Sequence, residues 1–251
     1  MFHSFIPKHI PNRVVLWVWK FVGRLFRLSE RMIERNRLEN ESILLGKAIS
    51  DSAQQLIVSD ACIANSYIAN TYIENQSQWD KVAFGSKYKM SYGGCEIIAV
   101  HNALLSLGQQ MTPEDIVNLI SYFERKGAAL KGKIGVVPQA AYEYFEQQEY
   151  SVKMWCCTDA DTINDIGRKY DSFIVTAYND SGDIRKGLHT INISKDTTGK
   201  FILHNAYRVK LDKAGKKEYT CSVPYDTLSE SISNISHKKA KSVCIISINR
   251  L

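Results

Sequence analysis

Three apolar runs in the second half of the chain constrain the fold most: SFIVTAY (172–178), LHTINIS (188–194) and FILHN (201–205). Each is rich in β-branched and aromatic residues, and the stretches NDSGD and KDTTGK between them are turn formers. Strands joined by short turns pair with their neighbours, so an antiparallel meander is expected. A fourth run, SVCIISI (242–248), is a final strand that closes the chain. Helices surround these strands. Thr112-Pro113-Glu114-Asp115 is a helix start, with a hydroxyl cap, proline in the first turn and acids against the dipole, and Gly127 is its stop. Further helices are expected from Pro138 to about Gln148, over 160–170 and near 225–234, with a strand over Tyr150–Cys157. Residues 1 to about 80 contain few glycines and read as all-helical. Helices first and an antiparallel sheet after them make an α+β chain.

At 251 residues, the chain is long enough for one full core with an extension. A net charge of +6, spread along the chain without a nucleic-acid motif, does not point to nucleic acid. Six cysteines form no disulfide framework and no zinc-spaced cluster, so no metal or other cofactor is expected, and a reducing, cytoplasmic setting fits best. The adjacent Cys156 and Cys157 read as two faces of one strand. No apolar run reaches the roughly 18 residues of a spanning helix, and no cleavage site comes after VVLWVW.

Residues 13–35 have their own pattern. Lys20, Arg24, Arg27, Arg31 and Arg35 recur at helical spacing, opposite Val14, Val15, Val18, Phe21, Val22, Leu25, Phe26 and Met32, with Trp17 and Trp19 nearby. One basic amphipathic helix with tryptophans suits a membrane surface. It equally suits packing on the second region or on a partner protein.

The stretch GGCEIIAVHNALLSLG (93–108) carries the chemistry. Two glycines allow a sharp turn and a close approach, and the residues after Cys95 are helical in pattern up to Gly108. A thiol at a helix N-terminus meets unpaired N–H groups and the positive end of the dipole, which favour thiolate. Cys95 is therefore a nucleophile or a small buried apolar residue, and a base must decide. His101 lies about 240° round the same helix, His3 and His9 belong to the extension, and His237 sits in a polar loop. His189 opens its strand on the face of Ile191 and Ile193. His204 faces the other way from Leu203 and Asn205, outward if Leu203 is core. His189 and Asn205, on successive strands, can be neighbours.

Cys, His, Asn in that order is the order of the papain-like cysteine peptidases. GGCEIIAVHNALLSLG resembles the nucleophile helix of the bacterial double-glycine (bacteriocin-leader) peptidases and their stand-alone relatives. KIGVVPQAAYEYFEQQEYSVKM, SFIVTAYND, GLHTINI and FILHNAY resemble successive segments of that branch, and His189 to Asn205 spans 16 residues, as the superfamily does. The resemblance covers about residues 85–250. It implies a papain-like fold over 81–251 behind a helical extension over 1–80. Cys95 is then the nucleophile, His189 the general base and acid, Asn205 the residue orienting its ring, and the Cys95 N–H an oxyanion donor. The family's glutamine donor falls six to eight residues before the cysteine, where this chain has Lys87, Tyr88 and Lys89. Gln78, with Gln76 the nearest upstream glutamine, is the candidate in its place. The implied activity is hydrolysis of a peptide or protein substrate. An acyl transferase on the same fold, or a non-catalytic module binding a membrane or partner through residues 13–35, is the alternative.

Overall fold

The computed structural model of the chain describes residues 10–54, 69–156, 159–179, 187–206, 208–211, 217–220, 223–235 and 241–250. Helices α1 (Asn12–Leu25) and α2 (Glu30–Gln54) come first. After a 3-10 turn at Gln76–Gln78 come two short strands, β1 (Ala83–Phe84) and β2 (Tyr88–Lys89), and a single turn, α3 (Met90–Gly93). Next are α4 (Cys95–Ser106), α5 (Pro113–Lys126), α6 (Pro138–Gln147), β3 (Ser151–Trp155) and α7 (Ala160–Lys169). The rest is β4 (Ser172–Tyr178), β5 (Leu188–Lys195), β6 (Phe201–His204), β7 (Arg208–Leu211), β8 (Lys217–Thr220), α8 (Leu228–Ser233) and β9 (Ser242–Asn249).

The chain is α+β around a five-stranded antiparallel sheet of order β3-β9-β4-β5-β6. Only β4-β5-β6 is a meander, because the last strand inserts between β3 and β4. That central place explains why SVCIISI is apolar without alternation: both faces of β9 are covered. Ile174, Cys244, Ile246 and Ile248 face α4, α5 and α6 in the larger core. Phe173, Val175, Ile191, Ile193 and Ile245 face α7 and α8 through Ile163, Ile166, Leu228 and Ile232. Each such fully buried side chain is worth about 1.5–3 kcal/mol. The α5 start forms a reciprocal capping box between Thr112 and Asp115, a cap of about 1 kcal/mol.

The first 80 residues depart from the expected extension. The basic face is split, because the chain leaves the helix after Leu25 and α2 begins at Glu30. Buried Leu28 and the bond from Lys131 N–H to the Phe26 carbonyl at 3.2 Å fix that break. Nor is α2 separate: Ile33 and Leu44 join the larger core. Buried Asn36 donates to Gly85 O at 2.7 Å and to Glu124 Oε1 at 2.6 Å, and Asn40 pairs with both backbone groups of Ala83. Residues 71–75 are not helical. Asn102 pairs with both the N–H and the carbonyl of Ile73. Residues 55–68, His3, His9, Cys157 and His237 lie outside the described residues. Among the described residues, no helix is long and apolar enough to cross a membrane.

Candidate active site

Gly93 and Gly94 are explained by crowding. A Cβ on Gly94 would lie 2.6 Å from Met90 Sδ and 2.7 Å from Met90 O, and one on Gly93 would lie 3.0 Å from the Phe84 ring. Gly94 closes α3 through its N–H to Met90 O at 2.9 Å and opens α4 through its carbonyl, which accepts from Ile98 N–H at 3.0 Å. No side chain caps α4, so its first N–H groups are left for the Cys95 sulfur or a ligand.

Cys95 is partly exposed at that terminus. Burial pushes its thiol above the ordinary value, against the opposing pull of the Thr190 N–H and hydroxyl and the N–H groups of Glu96 and Cys95. The helix terminus does favour thiolate, as the sequence suggests, but desolvation outweighs it. The resting group is a thiol. Glu96 is buried beside it, with its carboxyl pushed up to about 8 by burial first and then by repulsion from Cys95 when that group is ionised. It holds its proton at neutral pH.

The strand facing the thiol is β5. Thr190 turns toward α4, with its hydroxyl 3.0 Å from that of Thr176. His189, the preceding residue, is cross-strand from Ala177. Its Nε2 lies 2.9 Å from the backbone carbonyl oxygen of Asn205. A carbonyl only accepts, so Nε2 carries the hydrogen and Nδ1 presents the lone pair. Burial holds the ring below the ordinary imidazole value, partly offset by that bond. It is neutral at pH 7 and able to accept a proton. Thr190 lies beside the thiol and lines the same cavity, and Asn205 is bonded to the ring; among the described residues no hydrogen bond joins Cys95 to His189 directly.

Asn205 thus meets the ring through its main chain rather than through the side-chain amide that the sequence implies. Its φ of +62° ends β6 in the left-handed region, which asparagine tolerates. The amide points to Gln76: Oδ1 accepts from the Gln76 N–H at 2.9 Å, and Nδ2 donates to Gln76 Oε1 at 3.4 Å. Gln76 Nε2 in turn donates to the carbonyls of Met90 and Ser91 at 3.0 and 3.1 Å. The glutamine built into the site is therefore buried Gln76, whereas Gln78 is partly exposed on the same turn.

His204 is not an outward surface residue. It is buried, because the strand's second face is covered by residues 72–74. Its ring stacks on Tyr72 at 3.8 Å, its Nδ1 lies 2.7 Å from Glu74 Oε1, and its Nε2 lies 2.9 Å from Ser194 Oγ. Glu74 Oε2 also accepts from the Asn205 N–H at 3.0 Å. Sequence spacing does not single out Glu74, Gln76 or Thr190, and only its place among the upstream glutamines hints at Gln76.

A cavity of about 580 Å³ opens at Cys95. Thr190, Gly135 and Leu188 line it with Cys95, and α1 supplies Val14, Val18 and Trp19. No protein-family model, curated protein or solved structure matches this chain.

Proposed function

We propose that the chain is a papain-like cysteine peptidase with Cys95 as nucleophile and His189 as base. One observation carries the reading: the start of β5 holds Thr190 against the Cys95 thiol, and its neighbour His189 has Nε2 tied to the Asn205 carbonyl. Tying Nε2 leaves Nδ1 to take the thiol proton. The thiolate then attacks the scissile carbonyl, and the Cys95 N–H at the uncapped start of α4 stabilises the oxyanion. The imidazolium returns its proton to the leaving amine. Water, deprotonated by the same ring, hydrolyses the thioester. Closing the thiol–imidazole pair is part of substrate binding, as ligand-free catalytic hydrogen bonds are often loose.

The test is cleavage of a peptide mixture by the full chain, followed by mass spectrometry. Cys95→Ala and His189→Ala should each abolish cleavage while leaving the circular dichroism spectrum unchanged. Cleavage that survives Cys95→Ala would show that another group does the chemistry.

We further infer contact with an anionic membrane surface through α1. Val14, Trp17, Val18, Phe21 and Leu25 form an exposed stripe, with Trp17 66% exposed and stacked on Phe21. Exposed Arg13, Arg24 and Arg27 flank it. Tryptophan over lipid, bordered by arginine, is the chemistry of an interfacial helix.

A further inference from the structure

We propose that α1 is a substrate-binding element, and that the cleft beside Cys95 takes a peptide bearing a long apolar side chain or acyl group next to the bond attacked. This rests on Cys95 as the nucleophile but adds what the nucleophile is offered. The cavity wall is dominated by Val14, Val15, Val18, Val22, Ile134 and Leu188, an apolar lining that ends at the sulfur. About 580 Å³ falls within the size of sites that hold drug-sized ligands. An apolar group gains by leaving water for such a lining, and a charged one does not.

The helix is held as a wall and not as a plug. Asn12 Nδ2 donates to Ser242 O at 3.2 Å near its start, Lys20 pairs with Glu143 at 3.5 Å, and Phe26 O accepts from Lys131 N–H at 3.2 Å beyond its end. Trp19 and Leu16 pack on the larger core. With α1 so anchored, the cavity remains open. Two lining residues leave buried polar atoms with no partner among the described residues: Trp19 Nε1 and Tyr178 Oη. Both atoms are buried, so an occupant that brings carbonyl oxygens, as a peptide does, reaches them only when Trp19 or Tyr178 turns toward the cleft, where it would satisfy them. Val14 and Val18 also belong to the exposed stripe, so the cleft opens along α1.

The experiment needs no turnover. The full chain is alkylated with iodoacetamide and with N-hexyl and N-benzyl iodoacetamides. The Cys95 rate is followed by peptide mass mapping and normalised to glutathione. The alkyl reagents should label Cys95 about tenfold faster than iodoacetamide, the value of burying roughly two methylene groups. V18E, at a half-exposed position that tolerates change, should bring the ratio close to one; because each rate is divided by the iodoacetamide rate of the same variant, a change in thiol reactivity common to all reagents cancels. V14E should do the same and stands in if V18E misfolds. Equal rates for all reagents in the parent chain, or a preference that survives both variants, overturns the proposal. The catalytic reading fails separately, if peptides are not cleaved although the alkyl preference is present.

Discussion

His189 Nε2 rests on the main-chain carbonyl of Asn205, 2.9 Å away, while the Asn205 amide faces Gln76 from the other side. The residue that orients the ring does so with an atom every amino acid has. Its side chain instead ties the β6 end to the turn at Gln76–Gln78. Orientation of the His189 ring and attachment of that turn therefore separate under mutation.

Asn205→Gly keeps both the carbonyl and the left-handed φ, so peptide turnover in the folded protein should stay within about tenfold. Stability should fall by about 1–3 kcal/mol, since the buried Gln76 N–H loses its acceptor. Urea unfolding and turnover measured on one sample check both. Loss of turnover with unchanged stability would mean that the amide, not the carbonyl, orients the ring.

The two histidines should part company. His189→Ala should abolish turnover with little change in melting temperature. His204→Ala should unfold more easily, by about 2–4 kcal/mol, because it removes the imidazole partner of Glu74 Oε1 and of Ser194 Oγ and opens space beneath Tyr72. A reversed pattern would move the base role to His204.

Gln76→Ala should lower kcat/KM about tenfold or more by loosening Met90 and Ser91, which lead into Gly93, Gly94 and Cys95. Gln78→Ala should stay within about twofold. Equal losses, or a larger loss at Gln78, would favour Gln78 as the second oxyanion donor.

Glu124 is pushed up to about 7 by burial, against bonds from Asn36 and the Gly85 N–H. Its ordinary value is 4.5, so over this range the folded chain binds the proton more tightly than the unfolded chain. Stability then falls as pH rises from about 4.5 through 7, by up to about 3 kcal/mol. Glu124→Gln keeps an acceptor for both donors and should remove that decline. An identical pH slope in the variant would show that other groups cause it.

Co-sedimentation with phosphatidylserine vesicles should retain the full chain at low salt and release much of it at high salt. Trp17→Glu with Phe21→Glu should abolish retention without unfolding, as both rings are exposed. No retention at low salt sinks the lipid reading.

Most secondary structure is legible in the residues themselves. Threonine and proline at 112–113, glycine at 127 and the apolar runs at 172–178, 188–194 and 242–248 encode local preferences, and the elements lie where those preferences point, to within a residue at the strand ends. Gly93 and Gly94 announce a close approach, though only the fold reveals Phe84 and Met90 as the groups approached. The departures from expectation share a cause. Strand alternation turns His204 away from Leu203, but it separates two faces without saying that both are covered. Helical periodicity over residues 71–75 does not register a backbone bonded to the Asn102 side chain. The break after Leu25 depends on Lys131, far along the chain. The pairing of Gln76 with Asn205 spans 129 residues, and Thr190 reaches Cys95 only because β5 lies under α4. Which segments become strands and helices is written into the order of residues, because those choices are local in energy. Which atom of Asn205 meets His189, which glutamine enters the site and which wall α1 builds are settled only when the chain is assembled. Those outcomes depend on desolvation and hydrogen-bond satisfaction between distant segments.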